Sequence, residues 1–572
     1  MYYLYIIARG FHAGVWPESE SFNDKGMGPI PHRWKGICQP GQQFNSSNCN
    51  RKLIGAHWSV KGLEAELGAP LPTVLGEILS TRDSVDHGTH TASTAVSSPA
   101  TSAMLRGLVV GVARGGAPLA RLAVYKIAWL GGALSAADML KAFDYAIPDG
   151  VSLALGSEPP LYSYVDEGPD GIMIGAFHAV ARGITVVCSA GNTGPQPQTV
   201  EDIAPWILTV AASTMDRTFP TAITLGNNHT FWVQAMNTEK KLKAFLVLVY
   251  SKSHATNDSV EIEARKCSSG HLRCGSATRK VVLCFTSVDN ELYQAVLSTG
   301  AIGVIFVQQS NTLLTPCTPI LNSPMVKLRH SNTLVGSIKS PKVTAFSSRG
   351  PNSLSPTILK VHDIAALGVN ILATTPSPDS TSDKFMFMSG TSMACPRVAG
   401  GISPDSTSDK FMLMSGTSMA CPCVAGGIVA LLKSIDPGWS PAAIKYALGT
   451  TTTTMDKNEE PMLADGFPCK DPPSIPNMNL PSIVIPELKT SVAIERKVTN
   501  VGKVHSIYKA MVESPTGVKV VVEPAVLYFN EATKVLPFKM IFIVVHQIDG
   551  EHFVRSPIVV RMVIYDSYAD IY

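Results

Sequence analysis

The octapeptide SGTSMACP occurs twice, at Ser389 to Pro396 and at Ser415 to Pro422. Each copy belongs to a 26-residue unit, 377–402 and 403–428, and the two units differ only at Phe387/Leu413 and Arg397/Cys423. The repeat constrains the fold because one unit can be built into a core only if the other is accommodated as an insertion. Locally the unit predicts a buried strand from its apolar run (KFMLM in the second copy), a tight turn at Ser-Gly-Thr, and an apolar helix opening at Ser-Met-Ala. Ser392 or Ser418 then sits at a helix N-terminus, where free N–H groups and the helix dipole favour the negative charge that develops on an attacked carbonyl. The same residues also suit plain capping of a core helix.

Packing separates the two copies. After the second, the helical pattern runs on as VAGGIVALLKSI and stops before Pro437; after the first it meets Ser403-Pro404 within one turn. Proline inside a buried helix costs roughly 3 kcal/mol or more. Ser418 is therefore the favoured nucleophile and Ser392 the alternative. The first copy is expected to bulge out between Thr375 and Lys410, since long surface insertions are cheap.

Other stretches carry chemistry of their own. In RDSVDHGTHTASTA, His87 and His90 flank Gly-Thr ahead of a small-residue run suited to a closely packed helix. Two histidines three apart can ligate a metal, but no HExxH pattern or nearby third ligand accompanies them, and a histidine at a helix entrance suits a general base better. ARLAVYKIAWL, ADMLKAFDYAI, VSLALG, AFHAVARGITVVCSAGN and APWILTVAAS switch between periods of 2 and 3.6 with Gly at the joints. That alternation predicts a parallel sheet covered by helices on both faces, with chemistry at the carboxyl ends of its strands. Asn192 falls at such an end, in a Gly-rich loop where its amide can donate to an oxyanion; the same loop also reads as an ordinary turn.

Composition sets limits. The chain has 572 residues, enough for several domains, and 45% hydrophobic content supplies their cores. With 47 basic and 44 acidic residues, no charge argument points to nucleic acid or an anionic membrane surface. No apolar run is long enough to cross a bilayer, and the opening MYYLYIIARGF lacks the basic leader and cleavage site of a signal peptide. Eleven cysteines are too few for a disulfide scaffold of this size, although Cys38 and Cys49 bracket a polar loop and can pair. Asn45, Asn228 and Asn257 begin Asn-x-Ser/Thr triplets. No cofactor or metal is called for.

HGTHTASTA, SAGNTGP, FSSRGPN and GTSMACP, in this order, resemble the subtilisin-like serine proteases, and GVWPESESF and RWKGICQ resemble the plant subtilases in particular. The resemblance implies an α/β fold: a parallel-sheet subtilisin-like catalytic domain with an inserted α+β protease-associated domain and a C-terminal β-sandwich of fibronectin type III type. The expected division is 1–215 with 341–455 for the catalytic domain, 216–340 for the insert, 456–474 for a linker and 475–572 for the sandwich. In the insert, KVVLCF, ELYQAVLSTGA and IGVIFVQQ read as strand, helix, strand; from about 475 onward, short strands between Gly, Pro and Asn turns fit the sandwich. By matching positions His87 is the base, Asn192 the oxyanion donor, Ser418 or Ser392 the nucleophile, and Ala154, Leu155 and Gly156 part of the substrate-binding strand. The implied reaction is peptide hydrolysis through an acyl-enzyme. The implied partner is a peptide or protein substrate, with no nucleic acid or membrane and the oligomeric state left open. The implied location is extracellular or the cell wall.

Several positions depart from the family pattern. Where it has the triad aspartate this chain has His12, followed by Ala13-Gly14-Val15-Trp16-Pro17. A histidine cannot accept the ring N–H of His87 as a carboxylate does. Glu18, Glu20 and Asp24 lie nearby and are expected to be surface carboxylates. Asp86 stands for a glycine, Ala154 for a serine and Leu367 for a proline; the strand before Val151 is short, Lys360 to Asp363 holds one extra residue, and a tract is missing after ADGFP. The family's leader and inhibitory propeptide are also absent from this sequence. Two expectations follow: a serine endopeptidase with impaired chemistry, or a pseudoprotease that binds peptides or proteins through its cleft.

Overall fold

The computed structural model describes residues 14–71, 78–84, 86–105, 108–129, 133–156, 171–196, 198–235, 237, 244–250, 267, 277–285, 296–307, 325–336, 339–350, 363–376, 384–389, 424–451, 458, 490–500, 504–512, 514, 517–545 and 560–565. The strands Thr185–Ser189 and Leu208–Ser213 are buried along their whole length, as apolar runs covered on both faces must be. They form the middle of a four-stranded parallel sheet in the order Ile364–Leu367, Leu208–Ser213, Thr185–Ser189, Leu153–Gly156. A parallel pair, Leu53–Trp58 with Leu122–Lys126, shares the same hydrophobic core.

Helices complete the layers. The helix Ala136–Asp149 starts at Ser135, whose hydroxyl accepts from the Ala137 N–H, and ends at Gly150 in the left-handed region, φ +87°. It packs against the helix Gly171–Ala181, where a Cβ placed on Gly175 would lie 1.9 Å from Phe143 Cδ2. On the other side, Val424–Ile435 contacts the helix His87–Val96 and the strands Leu153–Gly156 and Thr185–Ser189. The last helix, Pro441–Thr451, is pinned by buried Lys445, which donates to Pro205 O and Ile207 O and pairs with Asp363 at 2.9 Å. Asp363 also accepts from the Thr209 N–H, so the segment with the extra residue still delivers its carboxylate to the sheet.

The duplicated unit is divided between its copies. Phe385–Met388 of the first copy forms an antiparallel hairpin with Ile371–Thr374, and the helix Val424–Ile435 comes from the second. This corrects the expected bulge between Thr375 and Lys410: the first copy's strand is in the sheet, and the surplus chain lies between Met388 and Val424. Loop length does not distinguish the copies: either strand leaves one connection of roughly ten residues and one of roughly 35 between Thr374 and the helix, so the closure cost is nearly the same. Ser392, Ser418 and residues 390–423 as a whole lie outside the described residues.

Residues between about 220 and 328 form a separate six-stranded mixed sheet in the order Thr230–Gln234, Pro220–Leu225, Met325–Leu328, Leu246–Tyr250, Val281–Cys284, Gly303–Phe306. Its last three strands are parallel, which agrees with the strand, helix, strand reading; of the helix, only Val296 to Ser298 are described. Two small apolar clusters serve it, one of them containing the Cys267–Cys284 disulfide. The pairing of Cys38 with Cys49 is present. Asn45 and Asn228 are exposed, whereas Asn257 lies outside the described residues.

The C-terminal strands make two three-stranded antiparallel sheets around one core, a sandwich. Val518–Glu523 alternates buried and less buried residues with the period of 2 expected of a half-covered strand. Among the described residues no helix is long and apolar enough to cross a membrane.

Because Phe143 occupies the space where a side chain on Gly175 would begin, Gly175→Ala is expected to destabilise the chain by about 1–3 kcal/mol, read as a lower denaturant midpoint in equilibrium unfolding.

Candidate active site

His87 is the first residue of the helix His87–Val96 and is 5% exposed. Its helix is fastened at the first turn. The Thr89 N–H and hydroxyl both donate to one carboxylate oxygen of buried Asp83, at 2.7 and 2.5 Å, and Thr89 Oγ1 accepts from the Trp16 N–H at 3.0 Å. The chain from Gly14 is laid across this turn: Val15 N–H donates to Thr81 O, and Asp83 N–H donates to Val15 O. A Cβ on Gly88 would lie 2.1 Å from Gly14 O, so only glycine allows the two backbones this approach. Gly14 thus rests against the residue after His87, and position 12, itself outside the described residues, is two residues further up the chain.

The nearby carboxylates are engaged elsewhere. Glu18 makes a two-point pair with Arg82, at 2.7 and 2.9 Å, while Arg82 stacks on Trp16. Asp24 pairs with Arg51 at 2.9 Å, and Glu20 accepts from the Thr101 N–H. They lie at the surface, as expected, with partners that hold the Gly14 to Asp24 segment down.

Asp86 precedes His87 at φ +69°, in the left-handed region where glycine is at ease. Burial, then the charge of Asp83, pushes its carboxyl up to about 6, against a hydrogen bond with Thr375 that works the other way. His90 serves the fold: its Nε2 lies 3.0 Å from Ile371 O and 3.3 Å from Met386 O, tying the helix to the hairpin of the first repeat copy. Burial holds its pKa down to about 4, so it is neutral and donates from Nε2.

Asn192 lies where the strand pattern put it, at the carboxyl end of Thr185–Ser189, after Gly191 at φ +92°. The loop is stitched to the FSSRGPN segment. Ser348 N–H donates to Gly191 O, Ser348 Oγ accepts from the Thr193 N–H, and Gly194 N–H donates to Phe346 O. The Thr199 and Val200 N–H groups donate to Arg349 O, and the Arg349 guanidinium donates to Ser347 O and Thr344 O. No local pattern in FSSRGPN signals this clamp, because it joins segments some 150 positions apart. Ala154, 1% exposed, belongs to the core of the adjacent strand Leu153–Gly156, whose carboxyl end stands beside the Asn192 loop through the pairing of Gly156 with Cys188. The strand also holds Leu155.

One further group escaped sequence reading. Glu201 is fully buried under this loop, its N–H donating to Ala190 O at 3.0 Å, and burial pushes its carboxyl up to about 8.

The helix Val424–Ile435 touches both halves of this arrangement, the His87 helix and the strand that leads to Asn192. It begins six residues after Ser418. Among the described residues no group of three or more His, Cys, Asp or Glu has the arrangement of a metal site.

A parallel sheet with a histidine-headed helix, a glycine-asparagine loop at a strand end and a helix following GTSMACP define the subtilisin type of fold. Residues 76–403 and 401–467 match the model of the subtilase family, and residues 477–560 match a fibronectin type-III domain. The two family matches meet at the joint between the duplicated units, so each GTSMACP copy falls in its own match. Subtilisin-like protease SBT3.9 of Arabidopsis thaliana is 41% identical over 660 residues, covering 99% of this chain and 82% of that protein. Subtilisin-like protease SBT3.5 of the same plant is 41% identical over 672 residues, with the same coverage. Both alignments are longer than this 572-residue chain, so they contain tracts that it lacks. The chain belongs to the subtilase family.

Replacing Asp86 by glycine tests the strain at the head of the His87 helix. An acid whose folded pKa is raised contributes most at low pH, and that contribution is lost as pH rises through about 6. Asp86→Gly is therefore expected to raise the thermal midpoint, and to raise it more at pH 7 than at pH 4.

Proposed function

We propose that this chain is a serine endopeptidase with weakened chemistry, in which Ser418 is the nucleophile, His87 the general base and Asn192 the oxyanion donor. Ser418 Oγ attacks the peptide carbonyl carbon as its proton passes to His87. The oxyanion is held by the Asn192 amide and by the free N–H groups at the head of the downstream helix. His87 then protonates the departing amine, and water, activated by the same histidine, hydrolyses the acyl-enzyme. The observation that carries this reading is the placement of Val424–Ile435, the helix downstream of the second repeat copy, against both the His87 helix and the strand leading to Asn192. The nucleophile needs a helix N-terminus more than it needs a strand, which favours Ser418 although the first copy supplies the strand. Residues 216–340 are assigned to a protease-associated insert, supported by a sheet with its own apolar clusters. The location proposed by kinship is extracellular or the cell wall.

The weakness is His12. A histidine at position 12 cannot accept the His87 ring N–H as a carboxylate does, so the charge that the family's aspartate supplies to the imidazolium is not supplied from there. In subtilisin itself, a relative, loss of the aspartate alone costs about 3 × 10⁴ in turnover. The second reading, a peptide-binding pseudoprotease, is favoured by the same residue and by Asp86 in a glycine position.

An active-site serine probe, a fluorophosphonate, and turnover of a peptide substrate separate these. His12→Asp is expected to raise turnover by orders of magnitude and to intensify labelling. In that background Ser418→Ala removes labelling while Ser392→Ala spares it. The reverse serine pattern moves the nucleophile to Ser392, and no labelling after His12→Asp makes the pseudoprotease the correct reading.

A further inference from the structure

The Glu201 carboxyl is buried against the residue before Asn192, and among the described residues no hydrogen-bond partner neutralises it. Glu201 is 0% exposed, and neither carboxylate oxygen has a hydrogen-bond partner. The group lies against Gly191: a Cβ built there would meet Glu201 Cδ at 2.3 Å, Oε1 at 2.5 Å and Oε2 at 2.6 Å. Gly191 is the residue before Asn192, about 3.8 Å away between α-carbons. The walls are apolar, formed by Ala190, Val200, Ile203 and Ala211 with Met173.

The charged groups around it are committed elsewhere. Arg349, whose backbone bonds Val200, directs its guanidinium to Ser347 O and Thr344 O. Lys445, which bonds the chain a few residues after Glu201, serves Pro205 O, Ile207 O and Asp363. The adjacent Asp202 carries the same sign as Glu201. Burial raises the Glu201 carboxyl, and among the described residues no ion pair with it is seen. An enclosed, unpaired carboxylate is among the costlier groups a fold can hold, and this one sits one residue from the proposed oxyanion donor.

We infer that Glu201 makes the cleft select peptides with lysine or arginine at the residue that supplies the scissile carbonyl, its carboxylate pairing with the arriving ammonium or guanidinium. This rests on the proposed function, because it takes Asn192 as the contact for that carbonyl. The side chain of the same substrate residue branches from the carbon next to the carbonyl, so it enters beside the Asn192 loop. A long cationic side chain spans a one-residue separation and keeps its charge at the tip.

The experiment is isothermal titration calorimetry on the full chain carrying Ser392→Ala and Ser418→Ala, which prevents turnover. The ligands are three acetylated peptides identical except for lysine, norleucine or glutamate at the carbonyl-supplying residue. Norleucine keeps the apolar stem and removes the charge. The lysine peptide is expected to bind about tenfold or more tighter than norleucine, the size of a buried charge-assisted hydrogen bond, with glutamate weakest.

Glu201→Gln removes the difference while leaving norleucine binding in place, and Glu201→Ser repeats the test with a smaller side chain. The unmodified glutamate gives a second readout. Its carboxyl is neutral below about pH 8 when alone, so lysine binding at pH 7 expels a proton, seen as a binding heat that depends on the ionisation heat of the buffer. Equal affinity for lysine and norleucine, a preference that survives both substitutions, or lysine binding without proton release overturns the inference while leaving the peptide cleft standing. Failure of all three peptides to bind overturns the cleft reading, and this inference falls with it.

Discussion

The arrangement around His87 depends on one buried carboxylate, Asp83, which takes two hydrogen bonds from Thr89 in the first turn of the histidine helix. Those bonds satisfy donors that a helix start otherwise leaves open, and the negative charge lies where the helix dipole welcomes it. Thr89 in turn holds the Trp16 N–H, so the same cap fastens the segment that starts at Gly14. Gly14 and Gly88 allow this contact by having no side chain. The backbone from Gly14 onward is therefore fastened to the head of the His87 helix.

The duplicated unit shows how chain connectivity resolves a choice that composition leaves degenerate. The two copies have almost the same residues, so burial energy barely distinguishes them. The hairpin takes the nearer strand, and loop length gives no reason for it, since either choice leaves one short and one long connection. The core takes the later helix because only there does an apolar pattern run for three turns without proline. The repeat thus contributes its strand from one end and its helix from the other, with the surplus chain between them.

On the far side of the cleft, the Asn192 loop is held by backbone hydrogen bonds from residues some 150 positions later. Ser348 acts through its main-chain N–H and through its hydroxyl, which accepts from the Thr193 N–H, and Arg349 through its carbonyl and its guanidinium bonds to neighbouring carbonyls. With the loop pinned by these bonds, Glu201 is buried against Gly191, and among the described residues neither of its carboxylate oxygens has a hydrogen-bond partner.

Much was legible from residues alone. The parallel sheet followed from apolar runs alternating with helical periods, the sandwich from short alternating strands, and the Cys38–Cys49 pairing from the loop they bracket. His87 at a helix head and Asn192 at a strand end were fixed by local pattern, because caps, turns and strand ends are short-range properties. The side-chain environments were not legible. That His90 binds a hairpin nearly 300 residues away, that Asp86 sits at positive φ, that FSSRGPN clamps the Asn192 loop and that Glu201 is sealed without a partner all depend on contacts between distant segments. The sequence determined which elements form and which residue types stand at their ends; tertiary packing decided which charges are paired, which are stranded and which repeat copy supplies each element, because desolvation and packing depend on where the whole chain places its neighbours.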